Sequence, residues 1–105
     1  MARFDVYRNP GAQAADVPYL LDVQSNILSS LETRVVVPLR LHSRFPASKL
    51  PGNLSPLVMV EDSECIMETP KLAAVPLRIL KTPVTTLAAS HYEITAALDF
   101  LFQGF

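Results

Sequence analysis

The sequence predicts an α+β fold: a mainly antiparallel β-sheet or small barrel, with one helix at the C-terminal end. Three observations predict it. Short apolar runs recur along residues 3–80, each bounded by Pro, Gly, Asn or clustered acids, as short strands are. Two of these runs flank the polar stretch Glu61-Asp62-Ser63-Glu64, which reads as a hairpin. From Ser90 onward the spacing changes, and Ile94, Ala97, Leu98, Leu101 and Phe102 fall at i, i+3, i+4, i+7 and i+8, one face of a helix. Strands first and helix last is the order of an α+β or small barrel domain, not of repeated βαβ units.

Taken in order, Arg3 to Arg8 alternates polar and apolar and reads as a half-buried strand with Phe4 and Val6 inward. Asn9-Pro10-Gly11 breaks it, and Ala12 to Asp16 has no periodicity, so a mobile loop is expected there. Val17 to Val23 is the second strand, with Pro18 near its start, where a missing N–H does least harm. Gln24-Ser25-Asn26 is polar, Ile27-Leu28 is apolar, and Ser29 to Thr33 is a turn. Arg34 to Leu39 is rich in β-branched residues and continuous, which fits a strand buried on both faces; Pro38 implies a strand edge or a bulge near its end. Arg40 to Pro56 carries Pro46, Pro51, Gly52 and Pro56 and reads as an irregular excursion with at most one helical turn. Leu57 to Val60 and Cys65 to Glu68 form the hairpin. Ala73 to Leu80 is a further strand, alternating at Val75, Leu77 and Ile79, and Val84 to Ala89 leads into the helix. Ser90-His91-Tyr92-Glu93 has the form of a capping box, and Gly104 stands where a helix stops, leaving Gln103-Gly104-Phe105 as a short tail.

The totals bound the function. A chain of 105 residues makes one domain, expected here to span 1–105. Half its residues are hydrophobic, enough to suggest surface covered by another chain, so a homodimer is expected. Nine basic and ten acidic residues leave a net charge of −1, without the basic surplus of a protein that binds nucleic acid directly. No apolar run is long enough to span a membrane, the N-terminus lacks the form of a signal peptide, and the single Cys65 fits a reducing cytoplasm. Cys65 sits among apolar neighbours as a buried, inert thiol would.

Little in the sequence suggests chemistry. His42 and His91 are far apart, and neither stands at metal-ligand spacing with Cys65, so no metal and no cofactor are expected. Glu61, Asp62 and Glu64 read as solvated charge in a hairpin turn. Three glycines, Gly11, Gly52 and Gly104, cannot build a phosphate-binding loop.

The run Tyr19 to Leu28, with Asp22-Val23-Gln24-Ser25 at its centre, followed by Arg34-Val35-Val36-Val37-Pro38-Leu39, resembles the CcdB family of bacterial toxins. Pro56, Met67, Thr69, Ala74-Val75-Pro76, Ser90-His91, Glu93 and the Phe102-x-Gly104 ending follow in the family's order, so the likeness covers essentially the whole chain. The resemblance implies an SH3-like barrel (CcdB/MazF-like), a homodimer without enzymatic activity, and a type II toxin that poisons DNA gyrase by binding its A subunit and trapping the cleaved DNA–gyrase complex. It also implies neutralisation by a cognate CcdA-like antitoxin. Carried over residue by residue, the gyrase-binding positions are Ser25, Ile27, Leu28, Gln103, Gly104 and Phe105. The loop positions Asn9, Pro10, Gly11, Ala12, Gln13 and Asp16 are expected to meet the antitoxin. The family's best-known member ends in Trp-Gly-Ile where this chain has Gln103-Gly104-Phe105, so the large aromatic anchor is absent. That departure leaves open an inactive or retargeted relative that keeps antitoxin binding. A second alternative is a MazF-like endoribonuclease, with Arg34, Arg40 and Arg44 as its cations.

Overall fold

The computed structural model describes residues 2–28, 30–44 and 52–104. Its strands are β1 (Asp5–Arg8), β2 (Tyr19–Asp22), β3 (Thr33–Leu41), β4 (Leu57–Val60), β5 (Ser63–Met67), β6 (Ala73–Pro76) and β7 (Thr85–Thr86), followed by the helix α1 (His91–Gln103). All strand pairings are antiparallel, in the order β4-β5-β3-β2-β1-β7 with β6 also on β3. The sheet is nearly closed into a barrel, and with the C-terminal helix this is the SH3-like barrel, α+β fold expected from the sequence.

The longest strand, β3, organises the sheet. Along one edge it pairs with β2, from Leu39 opposite Tyr19 to Val36 opposite Asp22. Along the other edge its first half pairs with β6, from Thr33 to Val36, and its last residues pair with β5, from Leu39 to Leu41. Pro38 sits at the break between those two partners. Its carbonyl accepts from Glu68 N at 3.0 Å on that edge, so its nitrogen, which cannot donate, faces the same gap and no ladder bond is lost. The sequence placed Pro38 at a strand edge or bulge; the structure shows an edge that opens in the middle of a strand.

Alternation along β1, β2 and β3 feeds two cores, one on each side of the sheet. Val6, Leu21, Val37 and Leu39 pack with Val60, Cys65, Met67 and, from α1, Ile94 and Ala97. Tyr7, Leu20 and Val36 face the other way and pack with Leu80, Val75 and Ile79. Both faces of β3 are therefore buried, as its continuous apolar run implied. Val6 is inward and Phe4 packs, partly buried, against the same core, as expected, but Phe4 lies before the strand with φ 76, and Tyr7 is buried on the opposite side.

Four other local readings are corrected. The strand expected over Ala73 to Leu80 stops at Pro76, whose partner is Thr33, the first residue of β3. Beyond it there is no strand left to pair with, and Leu77–Ile79 forms a 3-10 turn. Within the lead-in to the helix, Thr85 and Thr86 form a short strand on β1. The capping box does not form: a 3-10 turn over Ala88–Ser90 delivers the chain into α1, leaving Ser90 at φ −104 and ψ 20 with no side-chain cap bond. An N-cap needs an extended backbone at that position. The hairpin turn is tighter than the sequence suggested, with only Glu61 (φ 49) and Asp62 (φ 68) between β4 and β5. Two left-handed residues make the primed turn that matches the twist of the flanking strands.

The turn is also tied to the barrel. Tyr19 Oη donates to Glu61 Oε1 at 2.7 Å, and Arg8 Nη2 donates to Glu61 Oε2 at 3.1 Å. Glu61 is thus not the solvated charge the sequence implied. Burial first, and then the bond to Glu61, push the Tyr19 hydroxyl above its ordinary 10.0. Because the folded value lies above the unfolded one, this stabilisation is whole below about pH 10 and is lost as pH rises further. Tyr19→Phe should cost about 1 kcal/mol of stability at neutral pH, the net worth of the hydrogen bond, seen as a lower urea midpoint. It should also reduce the loss of stability between pH 8 and about pH 11, because one ionisation the fold resists has been removed. Parallel urea titrations of both proteins at the two pH values check this.

At the end of β2 a buried ion pair joins the strands. Arg34 Nε donates to Asp22 Oδ2 at 2.8 Å and Nη2 donates to Asp22 Oδ1 at 2.9 Å, with both side chains fully buried. Asp22→Ala should cost about 3–5 kcal/mol, because a buried guanidinium loses its counter-charge. Pairing Asp22→Leu with Arg34→Met should recover most of that loss. A double-mutant cycle in urea reads both.

Candidate functional site

Directly after Asp22 the chain leaves the sheet and must carry two apolar side chains into water. It does so as a short 3-10 turn, Asn26–Leu28. Gln24 builds the base of this turn. Its Nε2 donates to Leu28 O at 3.2 Å and to Thr33 O at 3.3 Å, and its Oε1 accepts from Val35 N at 3.0 Å. Gln24 is itself held, since its N–H donates to Asp22 Oδ1 at 3.0 Å and its carbonyl accepts from Arg34 Nη2 at 3.1 Å. Leu28 N then bonds Ser25 O at 3.1 Å, closing the turn. The result is a rigid base and an apolar tip, with Ile27 89% and Leu28 45% exposed.

Beside that tip lies the end of α1. The helix buries Ile94 and Ala97. Phe102, expected on the inward face, is 71% exposed. At 3.6 residues per turn it lies about 80° around the helix from Ile94, at the margin of the buried stripe. A cleft of about 370 Å³ runs between the two elements, lined by Ser25 and Leu28 from the turn, Leu98 and Phe102 from the helix, and Val23 and Val35 from the strand region. Gln103, expected in a tail, is the last residue of the helix and is exposed. Gly104 follows at φ 82 and donates to Phe100 O at 2.9 Å. That left-handed stop is the one the sequence indicated, and it requires glycine. Phe105 lies outside the described residues. The place of Phe102 at the margin is legible in the spacing, but the i to i+8 pattern treats all five positions as one face and so does not single it out as a surface residue.

The other set of expected contacts, Asn9 to Asp16, lies at the opposite end of β2. It is not a patternless loop. Asn9 Nδ2 donates to Val17 O at 2.8 Å while its Oδ1 accepts from Gly11 N at 2.9 Å, and Asp16 and Val17 both donate to Gln13 O. Leu41 N donates to Asp16 O at 2.9 Å, which anchors the loop on β3. Pro10, Gly11, Ala12 and Gln13 are exposed, whereas Asn9 uses its side chain within the loop.

Several other charged groups are engaged. Arg34 is fully buried on Asp22, so it cannot serve as the RNA-facing cation considered from sequence. Arg40 pairs with Glu68 at 3.2 Å and Arg44 with Asp16 at 3.6 Å. His42 Nδ1 meets Glu64 Oε1 at 2.5 Å, and His91 Nδ1 lies 2.8 Å from Ala88 O. Cys65 is buried in the main core, as expected, and burial pushes its thiol above the ordinary range. Among the described residues no three His, Cys, Asp or Glu side chains converge as metal ligands, and no helix is long and apolar enough to cross a membrane.

The Asp22–Gln24–Arg34 network and the turn it carries occupy the stretch whose sequence is most distinctive. A family model described as CcdB protein matches residues 3–104. The chain belongs to the CcdB family. Membership supports a toxin of a toxin–antitoxin pair. In this CcdB chain, the positions carried over from the family fall in two places: Ser25, Ile27 and Leu28 on the turn, and Gln103 and Gly104 at the helix end.

Proposed function

We propose that this protein poisons DNA gyrase, binding the A subunit and trapping its cleaved complex with DNA, and that a cognate CcdA-like antitoxin neutralises it. The observation that carries the reading is the cleft between the turn and the helix end. Ser25 and Leu28 meet Leu98 and Phe102 there, so segments from opposite ends of the chain form one exposed apolar surface. Ser25, Ile27, Leu28, Gln103, Gly104 and Phe105 are the chain's proposed gyrase contacts, of which Ser25 and Leu28 line the cleft. A poison of this kind carries out no catalysis. It shifts the target by binding one of its conformations better than the others. The working unit is a homodimer of single-domain chains acting in the cytoplasm; a dyad would present the surface twice to a two-fold symmetric target. Exposed Leu31, Leu57, Met59 and Tyr92 supply the kind of apolar surface that a second copy covers.

A second reading rests on Gln103. An exposed Gln ends the helix where the family's best-known member has Trp, and losing an aromatic anchor costs interfaces several kcal/mol. On that reading the chain keeps its antitoxin but has lost or changed its target. DNA cleavage by purified gyrase, with ATP and supercoiled DNA, decides between them. Linear DNA after denaturing the enzyme supports the poison. Its absence with a folded protein supports the inactive or retargeted relative. If the poison reading holds, removing Gln103 to Phe105 should abolish cleavage, shift the thermal midpoint by only a few degrees, and leave far-UV circular dichroism nearly unchanged, since Gln103 and Gly104 bury nothing in the core.

For the antitoxin the loop Asn9 to Asp16 is the proposed contact, with Pro10, Gly11, Ala12 and Gln13 presented and Asn9 shaping the loop. Asn9→Ala removes both of its side-chain bonds. It should weaken antitoxin binding roughly tenfold while leaving gyrase affinity unchanged. Titration calorimetry with the antitoxin's toxin-binding segment checks it.

A further inference from the structure

The N-terminal residues hold a strained conformation, and the strained residue, Phe4, packs against the edge of the main core. Ala2 to Asp5 forms a turn in which Asp5 N donates to Ala2 O at 3.1 Å and Ala2 N donates to Asp5 Oδ2 at 3.1 Å. Its third residue is Phe4, at φ 76. Glycine or asparagine is usual at that position, and a bulky aromatic there is a genuine outlier. Strain of this kind persists only where the surroundings impose it. Here Phe4 N donates to Asp22 O at 2.7 Å, and Phe4 O accepts from Leu87 N at 2.8 Å.

The left-handed residue turns Arg3 onto the segment after β2. Arg3 N donates to Asn26 Oδ1 at 2.7 Å, and Arg3 Nε donates to Val23 O at 3.0 Å. The guanidinium carbon also lies 4.9 Å from the centre of the Phe4 ring, which keeps the side chain close to the strand. One residue therefore bonds both sides of Gln24-Ser25: its backbone N–H holds the Asn26 side chain, and its guanidinium holds the Val23 carbonyl. Gln24 braces the turn from the buried side, and Arg3 braces it from the solvent side.

We propose that Arg3, aimed by the strained Phe4, is a positioning residue for target recognition: it fixes the turn Asn26–Leu28 so that Ile27 and Leu28 are presented in one arrangement. This rests on the reading of that turn as the target contact. Arg3 is half-buried and belongs to neither core, so replacing it opens no core cavity and separates positioning from stability.

The test uses Arg3→Ala, Arg3→Lys and Ile27→Ala in the full chain. Three readouts are taken: affinity for the purified gyrase A subunit, thermal midpoint, and amide exchange of Leu28, whose N–H closes the turn on Ser25. Arg3→Ala removes the guanidinium's bond to Val23 O and leaves the backbone bond to Asn26 Oδ1 in place; it should weaken binding severalfold and speed Leu28 exchange by a similar factor, with the midpoint nearly unchanged. Arg3→Lys, whose ammonium can still reach Val23 O, should restore most of both. Unchanged Leu28 exchange in Arg3→Ala overturns the positioning role. Faster exchange with unchanged affinity overturns it too, provided that Ile27→Ala does weaken binding. Unchanged affinity in Ile27→Ala overturns the contact reading itself, and the bonds made by Arg3 then have no target contact to position.

Discussion

The structure depends on the Asp22–Arg34 ion pair. Arg34 lies two residues before Val36, the cross-strand partner of Asp22, so the pair bridges β2 and β3 diagonally. A slip of one residue would carry Arg34 to the opposite core and leave Asp22 alone in the other, and two isolated buried charges cost far more than any alternative contact returns. The pair therefore sets the register. Net stability is a different matter. Desolvating both groups offsets most of their attraction, and Arg34 Nη1 has no hydrogen-bond partner among the described residues. The gain lies in what hangs from the pair. Arg34 Nη2 bonds Gln24 O, Asp22 bonds Gln24 N, and Gln24 then fastens Leu28, Thr33 and Val35. The whole excursion between β2 and β3 is referenced to one buried carboxylate.

With the register fixed, β3 can serve three neighbours. A strand that pairs with β2 on one edge and with both β6 and β5 on the other must bend between its two partners on that edge, and the bend lets a single sheet curl toward a barrel. Pro38 sits at the bend because its missing donor is harmless only where no partner strand is present. Curling in turn gives the central strands two buried sides, so Val6, Leu21 and Val37 meet the helix while Tyr7, Leu20 and Val36 meet Leu80. One helix is enough because it closes only one of the two cores.

Much of this was legible from the residues. Alternation and β-branched runs located the longer strands, the i to i+8 stripe located the helix, and Gly104 marked its end, because those signals are local. The misses were non-local. Where Ala73 onward stops being a strand depends on where β3 begins, which no window around Pro76 contains. Thr85 and Thr86 form a strand only because β1 has a free edge to offer. The capping box at Ser90 was a valid local pattern overridden by the 3-10 turn through which the chain arrives. At the surface, Ile27 and Leu28 could be picked out by resemblance, but nothing local showed that Phe102 would share their cleft. Arg34, which looks like a free cation in a sequence, is the largest fully buried side chain among the described residues.

A surface that must stay apolar and exposed conflicts with folding, which gains by covering it. Flexible apolar segments resolve the conflict by collapsing onto the nearest core, at the cost of re-ordering when a partner arrives. Here the turn is held against collapse, because Gln24 bonds its backbone at Leu28 while Arg3 bonds the Asn26 side chain and the Val23 carbonyl just before it. Such pre-organisation matters most for the proposed mode of action. A molecule that only has to bind must be tight, whereas one that traps a conformation must bind that conformation better than the rest. A flexible contact adapts to several target shapes and loses that difference; a rigid one keeps it. Read this way, the buried ion pair, the register it sets and the strain at Phe4 all serve one requirement, that the apolar tip keep a fixed shape.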